Sequence, residues 1–162
     1  MNEVFLSYTW SKNRHDEIND FHERLQNDFQ NKCGDTAATI FLDKQNLHGG
    51  DAFDEVIENE LEDCKLLLIL ISPTWLNSDY CNKEYRIFKA HGNRPIIPVL
   101  WDTIIESQIK EEYLETYHEL KKLNWITWDE LQYENWESTN LKKATGKLAA
   151  EINFKILSSN ED

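Results

Sequence analysis

Lys65-Leu66-Leu67-Leu68-Ile69-Leu70-Ile71-Ser72-Pro73 is the stretch on which the fold turns. Its apolar residues run without interruption from Leu66 to Ile71 instead of alternating with polar ones. A run this short falls well below the ~20 residues of a membrane-spanning helix, but it suits a strand covered on both faces. Such a strand belongs in the middle of a parallel sheet. Pro73 has no backbone N–H and ends the pairing, so a central strand is predicted over residues 65–71.

Working outward toward the N-terminus, Asp51 is placed to cap a helix whose buried stripe is Phe53, Val56, Ile57, Leu61 and Cys64. Before it, Thr39-Ile40-Phe41-Leu42 reads as a strand, closed by Asp43 and a polar loop through Leu47-His48-Gly49-Gly50. An earlier helix, capped by Asn13, carries Ile18, Phe21, His22, Leu25 and Phe29 on one face, and Val4-Phe5-Leu6-Ser7-Tyr8 is the opening strand. Toward the C-terminus, Asn77 or Ser78 caps a helix reaching about Ala90, and residues 94–100 form a fourth strand. Residues 104–123 are expected to be helical, 125–128 a fifth strand and 141–157 a closing helix. Strands alternating with helices in this way give a flavodoxin-like three-layer α/β fold, a five-stranded parallel sheet of order 2-1-3-4-5 with helices on both faces. Ligands of such folds bind beyond the carboxyl ends of strands one and three. Here those ends are Ser7-Tyr8 and Ser72-Pro73.

The chain has 162 residues and a net charge of −13. That length suits one domain, expected over residues 1–158 with a tail at 159–162. The charge disfavours nucleic acid and anionic lipid as partners. Cys33, Cys64 and Cys81 have no zinc or redox spacing, and the N-terminus shows no basic region followed by an apolar stretch, so a cytoplasmic protein is expected. The five histidines form no metal pair, and neither a phosphate-gripping loop nor a Gly-x-Ser-x-Gly elbow is present. A phospho-accepting receiver domain is excluded because its metal-holding acids are missing at Ser7-Tyr8 and Ile71-Ser72. A flavodoxin is excluded because residues 8–12 contain no glycine to wrap a flavin phosphate.

One acid is unusually placed. At ~100° per residue, Asn82, Lys83, Arg86 and Lys89 share a polar arc, whereas Glu84 falls among Tyr80, Cys81, Tyr85, Ile87 and Phe88 on the opposite, inward face. A dry, unpaired carboxylate costs several kcal/mol, so Glu84 needs a hydrogen-bonding partner, a cleft or a ligand. The alternative is a structural acid tied to a backbone amide or an arginine. Glu60 is the rival, because it falls within the stripe of Val56, Ile57, Leu61 and Cys64.

Phe5-Leu6-Ser7-Tyr8, Phe41-Leu42-Asp43 with Gly49-Gly50-Asp51, and the segment Ile71-Ser72-Pro73-Thr74-Trp75-Leu76-Asn77-Ser78-Asp79-Tyr80-Cys81-Asn82-Lys83-Glu84 together resemble the Toll/interleukin-1 receptor (TIR) domain family. The resemblance is close from about residue 2 to 100 and extends beyond that only in element order. It implies one of two functions: a non-catalytic adaptor that binds other such domains, or an NAD glycohydrolase that cuts the nicotinamide–ribose bond. The catalytic class implies Glu84 as the essential carboxylate, with NAD as substrate, no other cofactor and no metal. It further implies ADP-ribose or a cyclic isomer as product and a setting in bacterial anti-phage defence. Ser7, Tyr8, Asp43, Trp75, Ser78 and Cys81 are the expected substrate contacts. Beside that reading stand plainer ones: turn-forming for Asp43, capping for Ser78, packing for Trp75 and a buried thiol for Cys81. Leu47, Gly49 and Gly50 are the implied assembly loop for homotypic TIR–TIR contacts, and a sensor or effector on another chain is the further expected partner.

Overall fold

The computed structural model describes residues 2–9, 15–43 and 55–159. Five parallel strands, β1 (Asn2–Ser7), β2 (Thr39–Leu42), β3 (Leu66–Ile71), β4 (Ile96–Leu100) and β5 (Ile126–Thr127), form one sheet of order β2-β1-β3-β4-β5. Every residue of β3 is buried, as a strand covered on both faces requires. Val4 to Ser7 lie opposite Leu66 to Ile69, so the ends of β1 and β3 emerge side by side where the direction of winding reverses.

The helices are α1 (His15–Cys33), α2 (Glu55–Asp63), α3 (Pro73–Leu76), α4 (Asp79–Ala90), α5 (Leu114–Lys121) and α6 (Thr139–Ser159). Side chains of a strand alternate between faces. Val4, Leu6, Leu66, Leu68 and Leu70 accordingly pack with Phe21 and Leu25 of α1 and Leu148 and Ile152 of α6. Phe5, Leu67, Ile69 and Ile71 pack on the other side with residues of α2 to α5, among them Leu61, Trp75, Phe88 and Leu120. Each such buried aliphatic or aromatic side chain contributes on the order of 1.5–3 kcal/mol.

Several sequence expectations are corrected. α3 was not foreseen: Ser72 accepts a hydrogen bond from the Trp75 N–H at 3.0 Å, and Pro73 occupies the first helical position, where its missing N–H costs nothing. Ser78, not Asn77, caps α4 by accepting from the Cys81 N–H. Residues 104–123 are not one helix; two single 3₁₀ turns, Glu106–Gln108 and Glu111–Tyr113, precede the short α5. Val56 is 60% exposed, outside the buried stripe of Ile57 and Leu61. His22 is only half-buried at the edge of α1, where its Nε2 meets the Ile40 carbonyl. Ser159 still belongs to α6. The caps Asn13 and Asp51, Phe53 and the implied assembly residues Leu47, Gly49 and Gly50 lie outside the described residues.

Candidate active site

α4 starts beside the ends of β1 and β3, and its second turn carries Glu84 back toward the sheet. The side chain is 0% exposed. Ser7, the last residue of β1, points to the same face as Phe5 and donates its hydroxyl to Glu84 Oε1 at 2.8 Å. The indole N–H of Trp75, fixed by the capped turn of α3, donates to Ser7 Oγ at 2.9 Å. Glu84 Oε2, equally buried, has no hydrogen-bond partner among the described residues. Among the described residues the acid is thus tied neither to a backbone amide nor to an arginine; it is held by one oxygen, and the other is left unsatisfied.

Burial pushes the Glu84 carboxyl well above the ordinary carboxylate range; the Ser7 hydrogen bond opposes the shift, and the negative charge of Asp43 adds to it. Removal from water is the largest of these effects. Burial therefore favours the protonated acid over the carboxylate. A cation brought against Oε2 reverses that preference by Coulomb attraction in a medium that screens poorly.

Asp43, at the end of β2, is buried and braced from two sides. Tyr80 on α4 donates to its Oδ2 at 2.5 Å, and Tyr8 donates to its carbonyl at 2.8 Å. Tyr8 itself is buried, and burial, then Asp43, Glu84 and Cys81, raise its phenol above the usual range. Cys81 is fully buried with its thiol 3.5 Å from the Tyr8 carbonyl, the packed arrangement. Trp75 is also fully buried, edge-on to Tyr85, and presents no open face for stacking. Ser72 Oγ lies 3.4 Å from Thr9 Oγ1 and 3.1 Å from Thr74 Oγ1, a group of hydroxyls at the rim of the switch point.

Of the six expected site residues, Ser7, Tyr8, Asp43 and Trp75 are linked to Glu84 by hydrogen bonds or charge, but Trp75 and Cys81 serve as packing and hydrogen-bonding groups, and Ser78 serves as a cap. Two participants were missed. Tyr80 was assigned to the inward face without a role for its hydroxyl. Asn82 was assigned to the polar arc, yet it is fully buried and donates from Nδ2 to the carbonyls of Leu76 and Ser78 at 2.9 and 2.8 Å. Glu60 does not compete for the site. It is half-buried at the far end of β1, where Asn2 Nδ2 donates to its Oε2 at 3.0 Å.

Among the described residues, no group of three or more His, Cys, Asp or Glu side chains is arranged to hold a metal ion. No described helix is long and apolar enough to cross a membrane. Described cavities lie away from Glu84: one of about 590 Å³ on the outer side of α1 near Arg24 and Trp136, and two flanking the Tyr85–Lys89–Glu119 cluster.

Comparison with known proteins places this geometry in context. The family model described as TIR domain matches residues 4–144. A probable 2′ cyclic ADP-D-ribose synthase from Brachypodium distachyon is 29% identical over 62 residues, which are 38% of this chain and 27% of that protein. The chain therefore spans about a quarter of the length of that curated relative. The fold is shared with the TIR domain of the Toll-related receptor TRR-2 from Hydra magnipapillata, at a TM-score of 0.56 and 15% identity over 94% of this chain and 99% of that one. It is shared equally with the TIR domains of the activated Roq1 resistosome, at a TM-score of 0.52 and 15% identity over 94% and 83%.

Proposed function

The chain belongs to the TIR domain family, and from that membership together with the half-satisfied Glu84 carboxyl we propose that it cleaves NAD at the nicotinamide–ribose bond. The observation that carries the reading is the difference between the two oxygens of Glu84: Oε1 accepts from Ser7, and Oε2 is a buried acceptor without a donor. A buried unsatisfied group costs about 1–3 kcal/mol. Ribose hydroxyls would supply the missing donors. As the C1′–N bond breaks, its electron pair leaves with nicotinamide and neutralises the pyridinium, while positive charge develops on the ribose. A carboxylate beside that charge stabilises it. Water or a hydroxyl of the same molecule, losing its proton to solvent, or a ring nitrogen, then bonds to C1′, giving ADP-ribose or a cyclic form. The description of the Brachypodium relative as a cyclic ADP-ribose synthase supports this class of chemistry. NAD is substrate in this reading, and no further cofactor is called for. The setting implied by the sequence resemblance, cytoplasmic anti-phage defence triggered by a sensor on another chain, belongs to the same proposal.

The full burial of Glu84 favours a second reading, a non-catalytic TIR–TIR interaction module in which the acid is a structural relic of packing. One experiment separates the two: purified chain is incubated with NAD over a range of protein concentrations, and free nicotinamide is measured with Glu84→Gln in parallel. Release by the parent alone supports the enzyme; no release at any concentration supports the interaction module.

A further inference from the structure

Three fully buried groups in a row set the direction of a hydrogen-bond chain. The Trp75 indole N–H can only donate. It donates to Ser7 Oγ, so the single hydroxyl hydrogen of Ser7 is free to point elsewhere, and it points to Glu84 Oε1. With Glu84 ionised, and so unable to donate, the donor order runs from Trp75 to Ser7 to Glu84. While Oε1 accepts from Ser7, a proton on the carboxyl sits on Oε2.

We propose that Trp75 is a positioning residue of this site: acting through Ser7, it fixes Glu84 Oε1 as the held oxygen and leaves Oε2 as the oxygen that meets ribose. The proposal rests on the NAD-cleaving reading. Trp75 reaches this position because α3 is a single capped turn, begun by Ser72 and Pro73, that lays the indole beneath the end of β1. Among the described residues, the titratable groups coupled to Glu84 are Asp43 from the end of β2 and Tyr8 from the end of β1; Cys81 of α4 acts on Tyr8, and α3 contributes Trp75, which does not titrate. The hydroxyl of Tyr85, next along α4, is taken by Glu119.

The test combines kinetics with a measurement that needs no turnover. Removing the Ser7 donor withdraws a hydrogen bond from the charged form, so Ser7→Ala should move the acid limb of the kcat/KM profile to higher pH by about one unit. Trp75→Phe keeps a buried ring but loses the N–H; it should move the limb the same way by about half as much, with kcat lowered about threefold and KM for NAD changed less. In the unmodified protein, the ¹H–¹⁵N signal of the Trp75 indole should titrate at the same midpoint as the Glu84 carboxyl carbon, and in Ser7→Ala it should stop following it. An active parent whose indole signal ignores the Glu84 titration, or a folded Trp75→Phe with the parent's acid limb, overturns the positioning role alone. A parent that releases no nicotinamide overturns it together with the NAD-cleaving reading.

Discussion

Glu84 concentrates the chemistry of this protein in one side chain, and its two oxygens have different fates. Glu84→Gln preserves volume and removes the charge that would meet a developing cation. Nicotinamide release should fall by about a hundredfold or more in kcat, equivalent to roughly 2.7 kcal/mol of transition-state stabilisation, with little change in NAD affinity. Glu60→Gln, at the opposite end of β1, should leave kcat unchanged; the reverse outcome would mean that the wrong acid has been chosen. Stability gives an independent check. The folded-state pKa of Glu84 is raised above its ordinary value of 4.5, so its contribution to stability is present below that pH and is lost as pH rises through the folded value. Urea unfolding between about pH 4 and pH 8 should show the parent losing stability relative to Glu84→Gln as the pH increases. Parallel curves would mean that the carboxyl is solvated in the folded state. Sequence periodicity was sufficient to turn this acid inward, because a helix is rigid and its angular step is constant. Periodicity could not supply Ser7, its partner 77 residues away.

At the scale of elements, the junction between α3 and α4 positions the site. Asn82 ties the two by donating to the Leu76 and Ser78 carbonyls, and Ser78 begins α4. Asn82→Ala should cost about 1–2 kcal/mol, read as a lower urea midpoint at unchanged slope. Asn82→Asp is nearly isosteric, but when ionised it turns donors into acceptors facing two carbonyls, so it should cost more than alanine. Equal costs would mean that the amide is not the donor. This junction was illegible in sequence because one turn of helix has no period to detect, and Asn82 looked polar and outward for want of α3. The segment from 104 to 113 escaped for a related reason. Asn77 pins it from a distance, its Nδ2 donating to the Gln108 carbonyl and its Oδ1 accepting from the Lys110 N–H, each at 2.9 Å. Local propensity does not record that tether.

At the scale of the whole molecule, the closed site and the charge make one expectation. Glu84 is sealed in the single chain, so turnover requires a state in which Oε2 opens to substrate, and the sequence resemblance implies that this state is the assembled one. Specific activity should therefore rise with protein concentration. Copies carrying a net charge of −13 repel one another, so moderate salt should raise it further by screening. Activity per chain that is independent of both dilution and salt would place the opening within the monomer. The sequence by itself determined the strands, their parallel order and the inward turn of Glu84, because continuous or periodic hydrophobicity reports which faces of an element meet water. Only the tertiary structure decided that Trp75 is an internal donor and not a stacking surface, that Asp43 is gripped by Tyr8 and Tyr80, and that Oε1 is held while Oε2 is not. Those facts depend on which side chains two crossovers bring together and on the direction in which each hydrogen bond runs, and no pattern along one chain segment encodes either.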